Sequence, residues 1–477
     1  MGSPQANSIP LLGDETVSVK LTTAVYQSDS SEPTSYEKIW TGLRTGANLV
    51  LCYNGSGKLD YLYLRSSSDA VNEDNVLVAK NKPNGATNPF ASLVTGSGDY
   101  QIYKNGVPAA VSDLQQYDVA TYDGGSNTLF VSDLKLTGIY EDVYPNTAAP
   151  STITVLGTPF TVLPSAVQDL STFQVGDRLT LLLTSTGQVA GAVPTSVAKS
   201  NAVGVADVAS KDNVTIELLD GVIKITGKTQ YTEPAAQKLN GSLVTVSSAE
   251  RGYLSLTKVQ GKAAAAPLDL TKNTLGTKDL SAGIRFFEQV GNGKLAEIER
   301  SDIALTRIPA AQITYVGYDW AGRVDKVVLN DVTGDRYEYG LIYYQPAGMY
   351  EEKVWNNETQ KWDTISSYRN GTIRVTNGSG AISYVVGSVA GAKSGYMGGI
   401  AGSMDQVDDH QMLAGFAALQ SVTGLRRAQF DAEAMTLTTN SMILPISDQV
   451  QIYNEATKTW YTAKDGGHRE NLQQALA

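Results

Sequence analysis

Apolar and polar residues alternate with a period of two along much of this chain. From Glu15 to Tyr26, ETVSVKLTTAVY sets Val17, Val19 and Leu21 against polar neighbours, the spacing of a half-buried strand. Leu49 to Ser66 (LVLCYNGSGKLDYLYLRS) and Ile313 to Asn330 (ITYVGYDWAGRVDKVVLN) carry the alternation through a turn and back, and they align without gaps. Tyr53, Gly57, Asp60 and Leu64 fall on Tyr318, Gly322, Asp325 and Leu329. The shared pattern Y-[ND]-x-x-G-[KR]-[LV]-D-x-[LV]-x-L predicts a β-hairpin. An Asn or Asp opens the turn by bonding nearby backbone, a glycine three residues on takes the positive-φ position, and apolar residues flank both sides. Reduced forms at Gly187, Gly293 and Gly380 keep the turn and drop the Asp.

The remaining pattern is of the same kind. Val76 to Lys80 and Tyr100 to Tyr103 predict a strand pair, with a turn at Lys104 to Gly106. Ser112 to Asp133 predicts an acid-capped turn and two strands around Gly124-Gly125, a rhythm echoed by Asp448 to Tyr453. Further hairpins are expected about Asp220-Gly221, about Glu250 to Gly252, from Gly283 to Ile298, at EEKVWNNETQKWDTIS with an Asn-Asn turn, and at GTIRVTNGSGAISYVVGS. Gly387 to Gly402 is rich in Gly and Ala and reads as an ordered loop. Met412, Phe416 and Leu419 share one face at helical spacing, so Asp405 to Leu419 reads as a helix. The predicted fold is mainly β: several small antiparallel β-sandwich or barrel modules in tandem, with one short helical segment near 405–419. Residues 1–14 read as a vector-like start or linker, followed by modules at 15–110, 111–195, 196–265, 266–345 and 346–477, the last stopping within a helix just begun.

Composition agrees with a β-rich chain: of the aromatics, Tyr numbers 25 against Phe 8, and Tyr suits half-buried strand faces. The net charge of −11 argues against a nucleic-acid surface, which is built on Lys and Arg. Cys52 is the single cysteine, so no internal disulfide forms. No apolar run is long enough for a transmembrane helix, and the N-terminus lacks the basic and apolar regions of a signal peptide.

Catalytic chemistry is thinly represented. His410 and His468 are the two histidines; His410 lies in DQVDDHQM, where an acidic helix start is favoured over metal binding, and His468 lies in a glycine-flanked tail. No G-x-S-x-G or phosphate-binding loop occurs. Asp60 and Asp325 suggest a glycosidase pair at first sight, yet they occupy equivalent places in separate units, where pairing with Lys58 or Arg323 across the turn is the expected job. Asp69, Glu73 and Asp74 on one loop, and Asp331 and Asp335 on another, supply hard oxygen ligands of the kind calcium takes, at a spacing that fits no standard calcium loop. Trp355 and Trp362 flank a hairpin turn and Trp320 projects from another; these three rings are the candidate ligand-binding residues, able to stack on sugars, with simple cross-strand packing of Trp355 on Trp362 as the plainer account.

Several stretches carry a resemblance. YEDVYPNTAAPSTITVLGTPFTVLPSAVQDLSTFQVGDRLTLLLTSTGQVAGAV, VSSAERGYLSLTKV, DWAGRVDKVVLNDVTGDRYEYG and QSVTGLRRAQFDAEAMTLTTNSMILPISDQVQIYNEATKTWYT resemble the β-rich regions of S-layer homology (SLH) domain-containing surface proteins of anaerobic Gram-positive bacteria. The resemblance implies an exported, envelope-associated ectodomain that catalyses no known reaction and forms lattice or stalk contacts with neighbouring copies or other envelope proteins. The helical SLH anchoring modules themselves have no counterpart here. The alternative reading is an adhesin that binds carbohydrate or host protein through exposed aromatic turns. No cofactor is implied beyond the calcium loops, and neither nucleic acid nor membrane insertion is expected.

Overall fold

The computed structural model describes residues 5–461 except 11–15, 28–29, 42–48, 55–57, 65–74, 97–98, 199, 201, 260–263, 387–388, 408–409, 440–441 and 447–449. The chain is mainly β, arranged as small sheets and two closed five-stranded barrels in tandem. The hairpins follow from their turn chemistry. At the first repeated turn, Asn54 Oδ1 accepts the Lys58 amide at 3.1 Å. At the second, Asp319 Oδ1 accepts the amides of Ala321 and Arg323 at 2.9 and 3.0 Å, and Gly322 takes φ +73°. Arg323 pairs with Asp319 at 2.8 Å and Asp325 with its neighbour Lys326, so the expected pairing of Asp325 with Arg323 is replaced by a tighter clamp within the turn.

One arrangement recurs five times. A hairpin forms, and its second strand runs parallel to a strand that precedes the hairpin. Leu59–Leu64 lies parallel to Ala24–Gln27, Thr128–Ser132 to Gln101–Lys104, Tyr253–Lys258 to Lys224–Thr229, Val324–Asn330 to Lys278–Gln289, and His410–Ala418 to Gly380–Val386. The two repeated hairpins therefore sit in equivalent places. Val76–Val78 and Gln101–Lys104 share a sheet without being neighbours, because the Val119–Asp123 and Thr128–Ser132 hairpin lies between them.

The two barrels share one topology. In the first, Ala202–Ser210 pairs with Asn213–Leu218 and Leu243–Glu250, and Lys224–Thr229 pairs with Asn213–Leu218 and, in parallel, with Tyr253–Lys258. Antiparallel pairing of Leu243–Glu250 with Tyr253–Lys258 completes the ring. In the second, Glu338–Gln345, Gly371–Asn377, Gly380–Val386, Met397–Val407 and His410–Ala418 occupy the same five places with the same directions. Leu181, Leu183, Ile216, Ile225 and Val244, all fully buried, join the first barrel and the sheet before it in one apolar core. Ile342, Ile373, Val375 and Ile400 fill the second barrel.

The segment expected to be a helix is a strand. His410–Ala418 pairs antiparallel with Met397–Val407, setting Phe416 opposite Ile400 and Gly415 opposite Ala401. Of the Gly-rich stretch expected as a loop, 389–396 is irregular as expected, while Met397 to Gly402 begins that partner strand. Its glycines are there for close packing: a Cβ on Gly402 would lie 2.7 Å from the Tyr384 ring, and one on Gly415 would lie 2.5 Å from Val290. His410 accordingly opens a strand, and Asp405 lies within the partner strand.

Candidate functional site

Among the connections at which the barrels differ is the one between their opening strands. The first joins its opening two strands through a tight turn at Lys211-Asp212. At the same place the second inserts a two-stranded arm, Gly348–Asn356 paired with Lys361–Arg369 from Gly348↔Arg369 to Asn356↔Lys361. The flanking strands still meet at its base, where Gln345 lies opposite Thr372. The arm is internally braced. Asn356 Oδ1 accepts the amides of Glu358 and Thr359 at 2.9 and 3.1 Å and closes the tip, while its Nδ2 donates to Asp363 at 2.7 Å. Arg369 bonds Glu352 at 2.6 Å, and the Tyr350 hydroxyl donates to the Pro346 carbonyl at 2.6 Å.

Alternation along an antiparallel pair gives the arm two faces. Tyr350, Glu352, Val354, Asn356, Lys361, Asp363, Ile365 and Arg369 share one, on which Arg369 holds Glu352 and Asn356 holds Asp363. The other carries Met349 opposite Tyr368 and Trp355 opposite Trp362, with Glu351, Ser366, Lys353 and Thr364 between. The two indole rings meet edge to face at 5.4 Å, so the cross-strand pairing anticipated from the sequence is real, and both rings nevertheless reach solvent, Trp355 at 41% and Trp362 at 63%. Met349 and Tyr368 are 65% and 66% exposed. Glu351 and Lys353 are exposed, and no hydrogen bond or ion pair engages either side chain among the described residues.

Trp320 has a different setting. Instead of projecting freely it lies between modules, with the Lys104 ammonium 5.1 Å from its ring centre and the Arg323 guanidinium also at 5.1 Å. Its carbonyl accepts Gln115 Nε2 at 3.4 Å, and its Nε1 is buried without a partner among the described residues. Lys104 is itself wholly buried and holds the equally buried Asp118 at 2.6 Å, with the Asp113 carbonyl as a second acceptor at 3.0 Å. Burial pushes the Asp118 carboxyl above its ordinary range in spite of the opposing Lys104 charge and the Gln115 amide. A cleft of about 470 Å³ opens beside the ring, lined by Phe130, Asp133, Leu219, Arg285, Asp325 and Trp320 among others. Its charged groups are largely engaged: Arg285 grips Glu297 through two bonds of 2.6 Å and donates to the Leu219 carbonyl at 2.8 Å. The place is a joint between sheets, and the buried ion pair beneath Trp320 was not anticipated; Lys104 reads from sequence as an ordinary turn residue.

Asp331 and Asp335 lie on a loop organised by Glu288. That fully buried carboxylate accepts the amides of Val332 and Thr333, the latter at 2.7 Å, and the Thr333 hydroxyl. Burial, reinforced by the Asp331 charge, pushes the Tyr337 phenol well above its ordinary range. Among the described residues no three His, Cys, Asp or Glu side chains converge as a metal site requires. Asp69, Glu73 and Asp74 lie outside the described residues. The three candidate tryptophans thus fall on two separate elements, Trp355 and Trp362 together on the arm and Trp320 in the joint.

Compared with known proteins, the chain matches no protein-family model, no curated protein sequence and no solved structure. No helix among the described residues is long and apolar enough to cross a membrane.

Proposed function

We propose that this chain is a non-enzymatic structural protein of the cell envelope, an extracellular body that works through contacts with neighbouring copies and other envelope proteins. The observation that carries the reading is the arm. The second barrel carries an inserted ribbon that the first lacks, and the ribbon's outer face presents Met349, Trp355, Trp362 and Tyr368 to solvent among the described residues. Large aromatic and Met side chains are the residues that interface cores favour, and holding them on a rigid ribbon lowers the entropy lost on contact. The envelope setting rests on the resemblance described from the sequence.

Sedimentation velocity over a wide concentration range, together with fractionation of the source cells, tests the reading. Concentration-dependent association and recovery in the envelope fraction are expected. A chain that stays monomeric throughout and is absent from the envelope would overturn it. The same exposed indoles also suit a sugar ring, so an adhesin is the second reading; glycan-array binding abolished by Trp362→Ala would favour it over assembly.

A further inference from the structure

We infer that the outer face of the arm is a self-recognition surface, on which a second copy of the chain docks its own arm antiparallel. The inference rests on the assembly reading above and specifies where and how assembly occurs.

The order of residues along this face is self-complementary. Down one strand it runs Met349, Glu351, Lys353, Trp355, and down the other Tyr368, Ser366, Thr364, Trp362. Consider a second arm laid face to face about a two-fold axis between the two layers and perpendicular to the strands. Each strand then lies over its own copy in reverse. Met349 meets Trp355 of the partner subunit, Tyr368 meets the partner's Trp362, and Glu351 meets the partner's Lys353, each contact being made twice as a two-fold interface demands. The charges that meet are the two on this face that no group of their own chain engages among the described residues. On the other face the same operation brings Glu352 onto its own copy and Lys361 onto the partner's Arg369, like charges in both cases, so that face offers no such match.

Reversal also solves a steric problem. Each nine-residue strand extends about 30 Å, and packed sheets stand about 10 Å apart. Arms docked in the same direction would bring two barrels together at one end, whereas reversed arms hold the barrels at opposite ends. The face measures roughly 30 by 10 Å, well below the roughly 800 Å² per partner of a stable complex, so one such contact is weak and gains its effect when several are made at once.

Charge reversal on the full-length chain tests the register. Glu351→Lys leaves two cations on the face and Lys353→Glu two anions, so each variant alone is expected to lose at least about tenfold in self-association constant by sedimentation at low salt. Mixing the two variants should restore association between them, and the double reversal should restore it within a single chain. The sites are exposed, so circular dichroism is expected to be unchanged. If the wild-type chain associates and both single variants associate equally well, or the mixture stays as weak as its components, the arm assignment is overturned while the assembly reading stands. If the wild-type chain is monomeric at every concentration, both fall.

Discussion

The Lys104 ammonium lies 2.6 Å from the Asp118 carboxylate, and solvent reaches neither side chain. Trp320, contributed from a hairpin two hundred residues further on, covers the lysine. Breaking such a pair from one side leaves a buried charge unpaired, which costs about 3–5 kcal/mol. Asp118→Asn should therefore destabilise the chain by about that amount in urea unfolding. Lys104→Met should be costly at neutral pH and less so in acid. Burial already raises the Asp118 pKa, so with its partner gone the carboxyl takes up a proton as pH falls, and the folded state is relieved of the charge.

Trp320 and Trp362 should separate stability from association. Trp320 braces a joint and shields a buried ion pair, so Trp320→Ala is expected to lower unfolding free energy by about 2–4 kcal/mol. Trp362→Ala removes an exposed ring and its edge contact with Trp355, at a cost of about 1 kcal/mol or less. Chemical denaturation of both variants, beside sedimentation of both, checks the contrast: the first should weaken the fold and the second the association.

Glu288 fixes the loop after the second repeated hairpin by accepting two amides and a hydroxyl. Glu288→Ala removes the acceptor of all three bonds from a buried position and should cost about 2–4 kcal/mol. Faster hydrogen exchange at the Val332 and Thr333 amides, with the first barrel unaffected, is the local signature.

The tyrosines of the second barrel give an alkaline limit. Burial raises the hydroxyls of Tyr337, Tyr339 and Tyr384 above their ordinary value of 10.0, with Asp331, Asp335 and Glu338 among the reinforcing charges. Below pH 10 folded and unfolded chains both hold these protons. Above it the unfolded chain releases them and the folded chain does not, so stability falls as pH rises. Absorbance titration near 295 nm should show these phenols ionising late and together with loss of structure.

Much of the fold was legible because short-range turn chemistry is self-contained. Asn54 and Asp319 bond backbone within their own turns, and the motif names them without help from the rest of the chain. The segment around Met412, Phe416 and Leu419 failed for the opposite reason. Three apolar residues at helical spacing over so short a stretch suit a strand equally, and the choice was made by pairing with Met397–Val407 just before it and by the parallel contact of Met412 with Val385 that closes the barrel. Glycine misled in the same region: Gly402 and Gly415 make room for Tyr384 and Val290, a demand invisible until the sheets are assembled. Of the candidate site, the Trp355 and Trp362 pairing was readable from the hairpin. The different role of Trp320 was not, since its partner Lys104 belongs to another module.

The arm is attached without being needed. Gln345 faces Thr372 across its base, so the barrel ladder closes whether or not the ribbon follows. Replacing residues 346–370 by a two-residue turn of the Lys211-Asp212 type should shift the melting temperature by no more than about 2 °C while abolishing association. Conversely, the ribbon transplanted to Lys211-Asp212 should confer a second point of attachment. On the proposed assembly role, contact specificity and folding are separable: the ribbon could be rewritten, lengthened or moved between barrels, and the selection acting on how the protein folds would scarcely register the change.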